Sequence, residues 1–201
     1  MHMAWYRSDN SDIDSLDAKD EVWINELYCP DVRDEHSSNL WNLKKTTDRK
    51  GKPEWYYKNE AIAKCSEFLN NFDFQEKNPT IIPMPPSKKK GTPEYDDRLV
   101  QIINRVKKAK CLDIFDVTES IESTHTQDQS KDLNAIQNNL EISSSEEIPD
   151  TVYVLDDVIT TGSHFKAVKS IILKMNPDAR VIGLFFYKPE GSDYYNFIRN
   201  H

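Results

Sequence analysis

Cysteine is scarce: three residues, at positions 29, 65 and 111, with no Cys-x-x-Cys pair among them. Their odd number and wide spacing argue against both a disulfide framework and a zinc site, and fit a reducing, cytoplasmic setting. The five histidines are scattered singly, so no metal-ligand spacing appears. No apolar run approaches the roughly 18 residues that a membrane-spanning helix needs, and no basic segment followed by an apolar one leads the chain, so neither membrane insertion nor a secretory leader is expected. Internal repeats are absent, and so is any Gly-x-x-x-x-Gly-Lys-Ser/Thr loop. An excess of positive charge is also missing. The net charge is −8, and residues 1–35 hold ten acids against Arg7, Lys19 and Arg33, which leaves the remainder close to neutral. Such a balance gives little electrostatic pull toward a phosphate backbone and excludes non-specific nucleic-acid binding.

What is present fits one globular domain: 201 residues, 37% hydrophobic and 30% charged. The acidic start has apolar residues mainly at Val22–Ile24 and Leu27–Tyr28, and reads as a surface extension (1–40) with one docking strand or helical turn. It offers an arm for a protein partner or a second copy. In KNEAIAKCSEFLNNF, Ala61, Ile62, Cys65, Phe68, Leu69 and Phe72 fall on one helical stripe. TIIPMPPS begins as a strand that three prolines stop. The next segment predicts a helix opening near Thr92, with Pro93 in its first turn and Leu99, Ile102, Ile103 and Val106 buried. CLDIFDV reads as a strand, residues 123–139 as a polar excursion with a short helix, and Glu141–Asp150 as a connector. A strand at Thr151–Leu155, a helix from Ser163 to Met175 and a fully apolar strand, RVIGLFFYK, complete the pattern. Strands alternating with helices over 41–201 predict an α/β domain whose central, mostly parallel sheet is flanked by helices.

The stretch VYVLDDVITTGS carries the chemistry. In a strand–loop–helix unit, ligands sit beyond the carboxyl end of the strand, where the next helix offers its N-terminus. Asp156 and Asp157 fall at that end. The loop Val158, Ile159, Thr160, Thr161, Gly162 and Ser163 offers backbone N–H groups and hydroxyls, with Gly162 free to take unusual dihedrals. This is a cradle for one phosphate. Paired carboxylates beside it suit vicinal hydroxyls, each donating to a carboxylate oxygen. A phosphate at one end and a diol at the other describe a ribose 5-phosphate.

The same stretch resembles the 5-phosphoribosyl-1-diphosphate (PRPP) motif of type I phosphoribosyltransferases, which have a Rossmann-like fold. The resemblance implies that Asp156 and Asp157 meet the ribose hydroxyls and that Val158–Ser163 wrap the 5-phosphate. IIPMPPS with its basic continuation is similar to the diphosphate loop of the ComF-type phosphoribosyltransferase-like proteins, which places Met84, Pro85, Pro86, Ser87 and Lys88 at the diphosphate. TQDQSKDLNAIQNN resembles the segment between their two loops, with Gln129 and Asn139 in matching places. Two departures stand out: no N-terminal zinc-ribbon cysteines, and Ile136 and Gln137 where an arginine is expected before Asn139. The resemblance implies displacement of diphosphate from ribose C1 by a nitrogen acceptor. Mg²⁺ would be held mainly through PRPP rather than by protein ligands, and Ser87, Lys88, Lys89 and Lys90 would steady the leaving group with Arg98 behind them. No residue stands out as a general base, and the residues that carry catalysis are not assigned. The alternative is a non-catalytic PRPP- or nucleotide-binding protein with a regulatory, DNA-uptake or defence role. A Walker B strand end or a receiver-type acidic pocket explains the aspartates less well, the first for want of a phosphate loop, the second because TTGS is left without a purpose. His164 reads as a helix-surface residue. Phe185, Phe186, Tyr187, Tyr194, Tyr195 and Phe197 read as core packing before they read as a base-stacking platform.

Overall fold

In the computed structural model, residues 5–29, 34–119 and 133–190 are described. Gln129, Tyr194, Tyr195 and Phe197 lie outside them. Six strands form one sheet in the order β1 (Tyr6–Arg7), β2 (Glu21–Tyr28), β8 (Arg180–Pro189), β7 (Thr151–Val158), β3 (Thr80–Pro83), β4 (Lys110–Cys111). Only β1 runs antiparallel; every other pairing in this sheet is parallel. A separate antiparallel ribbon joins β5 (Phe115–Val117) to β6 (Leu140–Ile142). Helices α1 (Glu35–Leu43), α2 (Trp55–Asn70) and α3 (Arg98–Ile103) form one packed group, and α4 (Leu133–Asn138) packs on α5 (Ser163–Met175). This is the α/β architecture that the alternating pattern predicts.

β7 and β8 are interior strands, which explains their near-continuous apolar composition: Val152, Val154, Leu155, Leu184 and Phe186 are fully buried. Phe185, Phe186 and Tyr187 belong to this core. The stripe of α2 packs Ala61, Ile62, Cys65 and Leu69 inward, and α5 does the same with Phe165, Val168 and Ile172. All three cysteines are free thiols. Among the described residues no helix is long and apolar enough to cross a membrane.

Three expectations are corrected. The docking strand of the acidic segment, β2, is not a surface attachment: it lies between β1 and β8, with Val22 and Ile24 fully buried. CLDIFDV divides into β4 and β5, which belong to different sheets. The helix expected near Thr92 begins only at Arg98. Residues 93–94 form a turn and 95–97 have no regular structure, and Asp96 in this segment reaches Lys58 and Arg98. The buried face of that helix is as expected, with Leu99, Ile102, Ile103 and Val106 all in the core.

Candidate functional site

The carboxyl ends of parallel strands lie along one edge of their sheet, so β3 and β7 deliver their following loops side by side. The Met84 N–H donates to the Leu155 carbonyl at 2.8 Å, which starts the proline-rich loop next to the strand that carries the aspartates. A cleft of about 380 Å³ opens there, within the size range of small-molecule sites. Met84, Pro85, Pro86, Ser87 and Lys88 line it from one side, and Asp156, Asp157, Val158 and Thr160 from another. Asn139, His164, Lys44 and Tyr95–Arg98 complete the wall.

The two aspartates differ in their surroundings. Asp157 is almost wholly buried, and its Oδ2 accepts from Arg98 Nη2 at 2.6 Å and Nε at 3.1 Å. Lys44 Nζ stands 3.4 Å from its Oδ1. Burial alone would raise this carboxyl; the charges of Lys44 and Arg98 outweigh it and hold the group well below the usual carboxylate range. Among the described residues, Asp156 accepts only the Asp157 backbone N–H, at 2.7 Å on Oδ1. Burial first, and then the charge of Asp157, push its carboxyl well above the ordinary value. With about four lone-pair positions on a carboxylate, Asp156 keeps Oδ2 and one position on Oδ1 without a partner among the described residues, and Asp157 keeps one position on Oδ1.

Behind Asp157 lies a chain of charges that the sequence did not advertise. Arg98 Nη1 also pairs with Asp96 at 3.0 Å, and Asp96 takes the ammonium of Lys58 at 2.6 Å. Lys58 is fully buried in α2, and it also donates to the carbonyls of Leu43 and Lys45, each at 2.7 Å. Burial pulls its pKa down, against the opposing pull of Asp96. A buried lysine is tolerable only with such complete pairing. One signal could have revealed it: Lys58 precedes Ala61, Ile62 and Cys65 at helical spacing, a charge on the apolar stripe.

The loop 158–163 is half open and half covered. Thr160 lines the cleft, whereas Ile159, Gly162 and Ser163 are buried. The N–H groups of Thr160, Thr161 and Gly162 have no partner among the described residues. Gly162 takes φ +77°, and a Cβ there would meet Leu16 at 2.8 Å and Ile13 at 3.0 Å. These two belong to the connection between β1 and β2, which straps across the loop. The Ser15 N–H donates to the Thr161 carbonyl at 2.9 Å, and Ser15 Oγ, Ser163 Oγ and Thr161 Oγ1 form a hydroxyl chain at 2.8 and 3.0 Å. Asp20 fixes the strap to α5 through Lys166 and Lys169 at 2.7 and 2.8 Å. So the hydroxyls of Thr161 and Ser163, read from sequence as donors to a ligand, are engaged with the strap and with each other.

The expected leaving-group cations are also distributed differently. Lys88 lines the cleft, but Lys90 pairs with Asp113 at 2.8 Å, Lys89 donates to the Thr118 carbonyl, and Arg98 serves Asp157 and Asp96. Asn139 closes the base of the excursion: its amide accepts from Thr118 Oγ1 at 2.7 Å and from the Glu119 N–H at 3.1 Å, and donates to the Glu119 carbonyl. Ile136, where an arginine was expected, contributes apolar surface to the cleft. Among the described residues, no group of three or more His, Cys, Asp or Glu side chains converges on a metal position.

No protein-family model matches the chain, and no curated protein does. Two crystal structures of a hypoxanthine phosphoribosyltransferase from Staphylococcus aureus, in tetragonal and orthorhombic space groups, superpose with a TM-score of 0.35 and 13% identity. The alignments cover 82% of this chain and 84% and 85% of theirs.

Proposed function

We propose that this cleft binds PRPP and that the chain is a phosphoribosyltransferase acting on a nitrogen acceptor. One observation carries the reading: the Met84–Leu155 hydrogen bond sets the PMPPSK loop beside the paired aspartates, so groups suited to diphosphate and to a ribose diol share one cleft. In the proposed complex the 2- and 3-hydroxyls donate to Asp156 Oδ2 and Asp157 Oδ1, and the 5-phosphate takes the N–H groups of Thr160, Thr161 and Gly162. Ser87 and Lys88 face the diphosphate. The acceptor nitrogen forms its bond to C1 as the bond from C1 to diphosphate breaks, the electron pair leaves with diphosphate, and the acceptor's proton passes to solvent.

The cleft wall carries Glu94, Asp96, Asp97, Asp113, Asp156 and Asp157 against Lys44, Lys88 and Arg98. A polyanion enters such a field only with compensating cations, which suits Mg²⁺ brought in on PRPP's own oxygens. When bound, the ion would neutralise charge on the departing diphosphate. The finer likeness to ComF-type proteins rests on the sequence segments alone.

A second reading, a non-catalytic PRPP-binding protein, is favoured by the pairing of Lys90 and Arg98 inside the protein, which leaves Lys88 to face the leaving group. Calorimetric titration with PRPP and Mg²⁺ is expected to give binding that the Asp156→Asn/Asp157→Asn variant loses; equal binding by both would sink the ribose assignment. Release of diphosphate on adding mixed nucleobases separates enzyme from sensor.

A further inference from the structure

Lys58 does not line the cleft itself, yet it bonds to Asp96, which does, and to two carbonyls at the end of α1. Two of its acceptors, the carbonyls of Leu43 and Lys45, flank Lys44 in the chain, so the ammonium clamps the backbone on both sides of that lysine. Its third acceptor, Asp96 Oδ2, is the same atom that receives Arg98 Nη1. Lys44 is half exposed, its contact with Asp157 is 3.4 Å, and no other ion pair holds it among the described residues. Its own N–H donates to the Leu40 carbonyl at 3.0 Å at the end of α1, and the clamp holds the carbonyls on either side of it.

We propose that Lys58 is a positioning residue for the ribose site: from inside α2 it sets both cations, Lys44 and Arg98, against Asp157. The inference rests on the reading of Asp157 as a ribose ligand. An ordinary structural role would be to cap the carbonyls at the end of α1. That role accounts for two of the contacts; the third gives the buried ammonium its counter-charge and, through the shared Asp96 Oδ2, also reaches Arg98. Asp157 is surrounded by Lys44 from the end of α1, Lys58 and Cys65 of α2, Asp96 and Arg98 at α3, and Asp156 on its own strand. Of these, Lys58 alone bonds to the supports of both cations.

The test is a carboxyl-carbon NMR titration of Asp157 in the full chain, wild type against Lys58→Met, with PRPP–Mg²⁺ affinity measured alongside. The Asp157 midpoint is expected to rise in the variant as Lys44 and Arg98 lose their supports. Affinity is expected to fall roughly ten- to a hundredfold, as when an outer-shell partner of a ligand site is removed. A folded Lys58→Met protein whose Asp157 titrates as in wild type overturns the proposal; because the Lys58 charge itself also acts on Asp157, a raised midpoint with PRPP affinity equal to that of a PRPP-binding wild type overturns it as well. Asp96→Ala provides a route that does not depend on Lys58→Met folding, since Asp96 is partly exposed. There Arg98 loses the partner of its Nη1; its Nε–H, bonded to Asp157, is expected to exchange with solvent roughly tenfold faster as the guanidinium loosens, and a wild-type rate overturns the proposal. The titration needs no ligand. A shifted midpoint in a protein whose wild type ignores PRPP would refute the ribose reading and leave the role of Lys58 standing; an unshifted midpoint with PRPP bound would do the reverse.

Discussion

Asp156 and Asp157 are adjacent in sequence and shifted in opposite directions: burial and the charge of Asp157 raise Asp156, whereas Lys44 and Arg98, which pair directly with Asp157, hold it down. The two amide substitutions should therefore have opposite effects on stability. The raised carboxyl of Asp156 weakens the fold as pH climbs from the ordinary carboxylate range through its elevated value. Asp156→Asn removes that cost, and thermal unfolding at neutral pH should show a variant at least as stable as wild type. Asp157→Asn strands Arg98 and should cost about 3 kcal/mol, of the order found when one partner of a buried pair is lost. The same proton governs ligand binding. Ionised Asp156 accepts a ribose hydroxyl, so PRPP affinity should rise with pH as that carboxyl deprotonates, and Asp156→Asn should lose that part of the profile. Matching pH profiles in the two proteins would remove Asp156 from the site.

At the scale of elements, the strap between β1 and β2 and the loop before α5 form one unit. Gly162 sits at φ +77° under Leu16. Gly162→Ala therefore meets left-handed backbone strain and a side-chain clash together, and should lower stability by about 2 kcal/mol. Limited proteolysis should then cut within residues 9–20 sooner than in wild type; an unchanged cleavage rate would mean that the strap does not rest on this loop. Asp20→Asn, which weakens the pairs with Lys166 and Lys169, should cost about 1–3 kcal/mol, read as a fall in Tm. Little of this unit was legible in the chain. Ile13, Leu16 and Ser15 are isolated in an acidic stretch with no period, and their partners lie about 150 residues away. By contrast α2, α5 and β8 were readable because each writes its burial as a local repeat. The aspartate pair was readable because a strand end, a helix start and a glycine bracket it within twelve residues, VYVLDDVITTGS. Lys44, Lys58 and Asp96 reach the site through tertiary contacts alone, and only the place of Lys58 on an apolar stripe left a trace in the sequence. The start of α3 escapes a local reading for the same reason: Asp96 is tied to Lys58, 38 residues upstream.

For the molecule as a whole, acid is the condition that should expose its reliance on paired carboxylates. Asp157 and Asp20 both have depressed folded-state pKa values, each against the upward push of burial. Their contribution to stability is complete above the ordinary carboxylate range, about pH 4, and is lost as pH falls through their lower folded values. Tm should decline below that point, and Asp20→Asn should flatten the decline; a variant as acid-sensitive as wild type would exclude Asp20 from it. The strand order carries a different implication. β2 comes early in the chain, and its hydrogen-bonded parallel neighbour, β8, comes last among the described elements, with Glu21 opposite Ile182 and Tyr28 opposite Pro189. On the ribosome, Val22 and Ile24 are made long before their partners exist. Completion of the sheet must then wait for nearly the whole chain to emerge, which predicts slow, late folding and a nascent chain whose early apolar strand needs protection from its neighbours until β8 arrives.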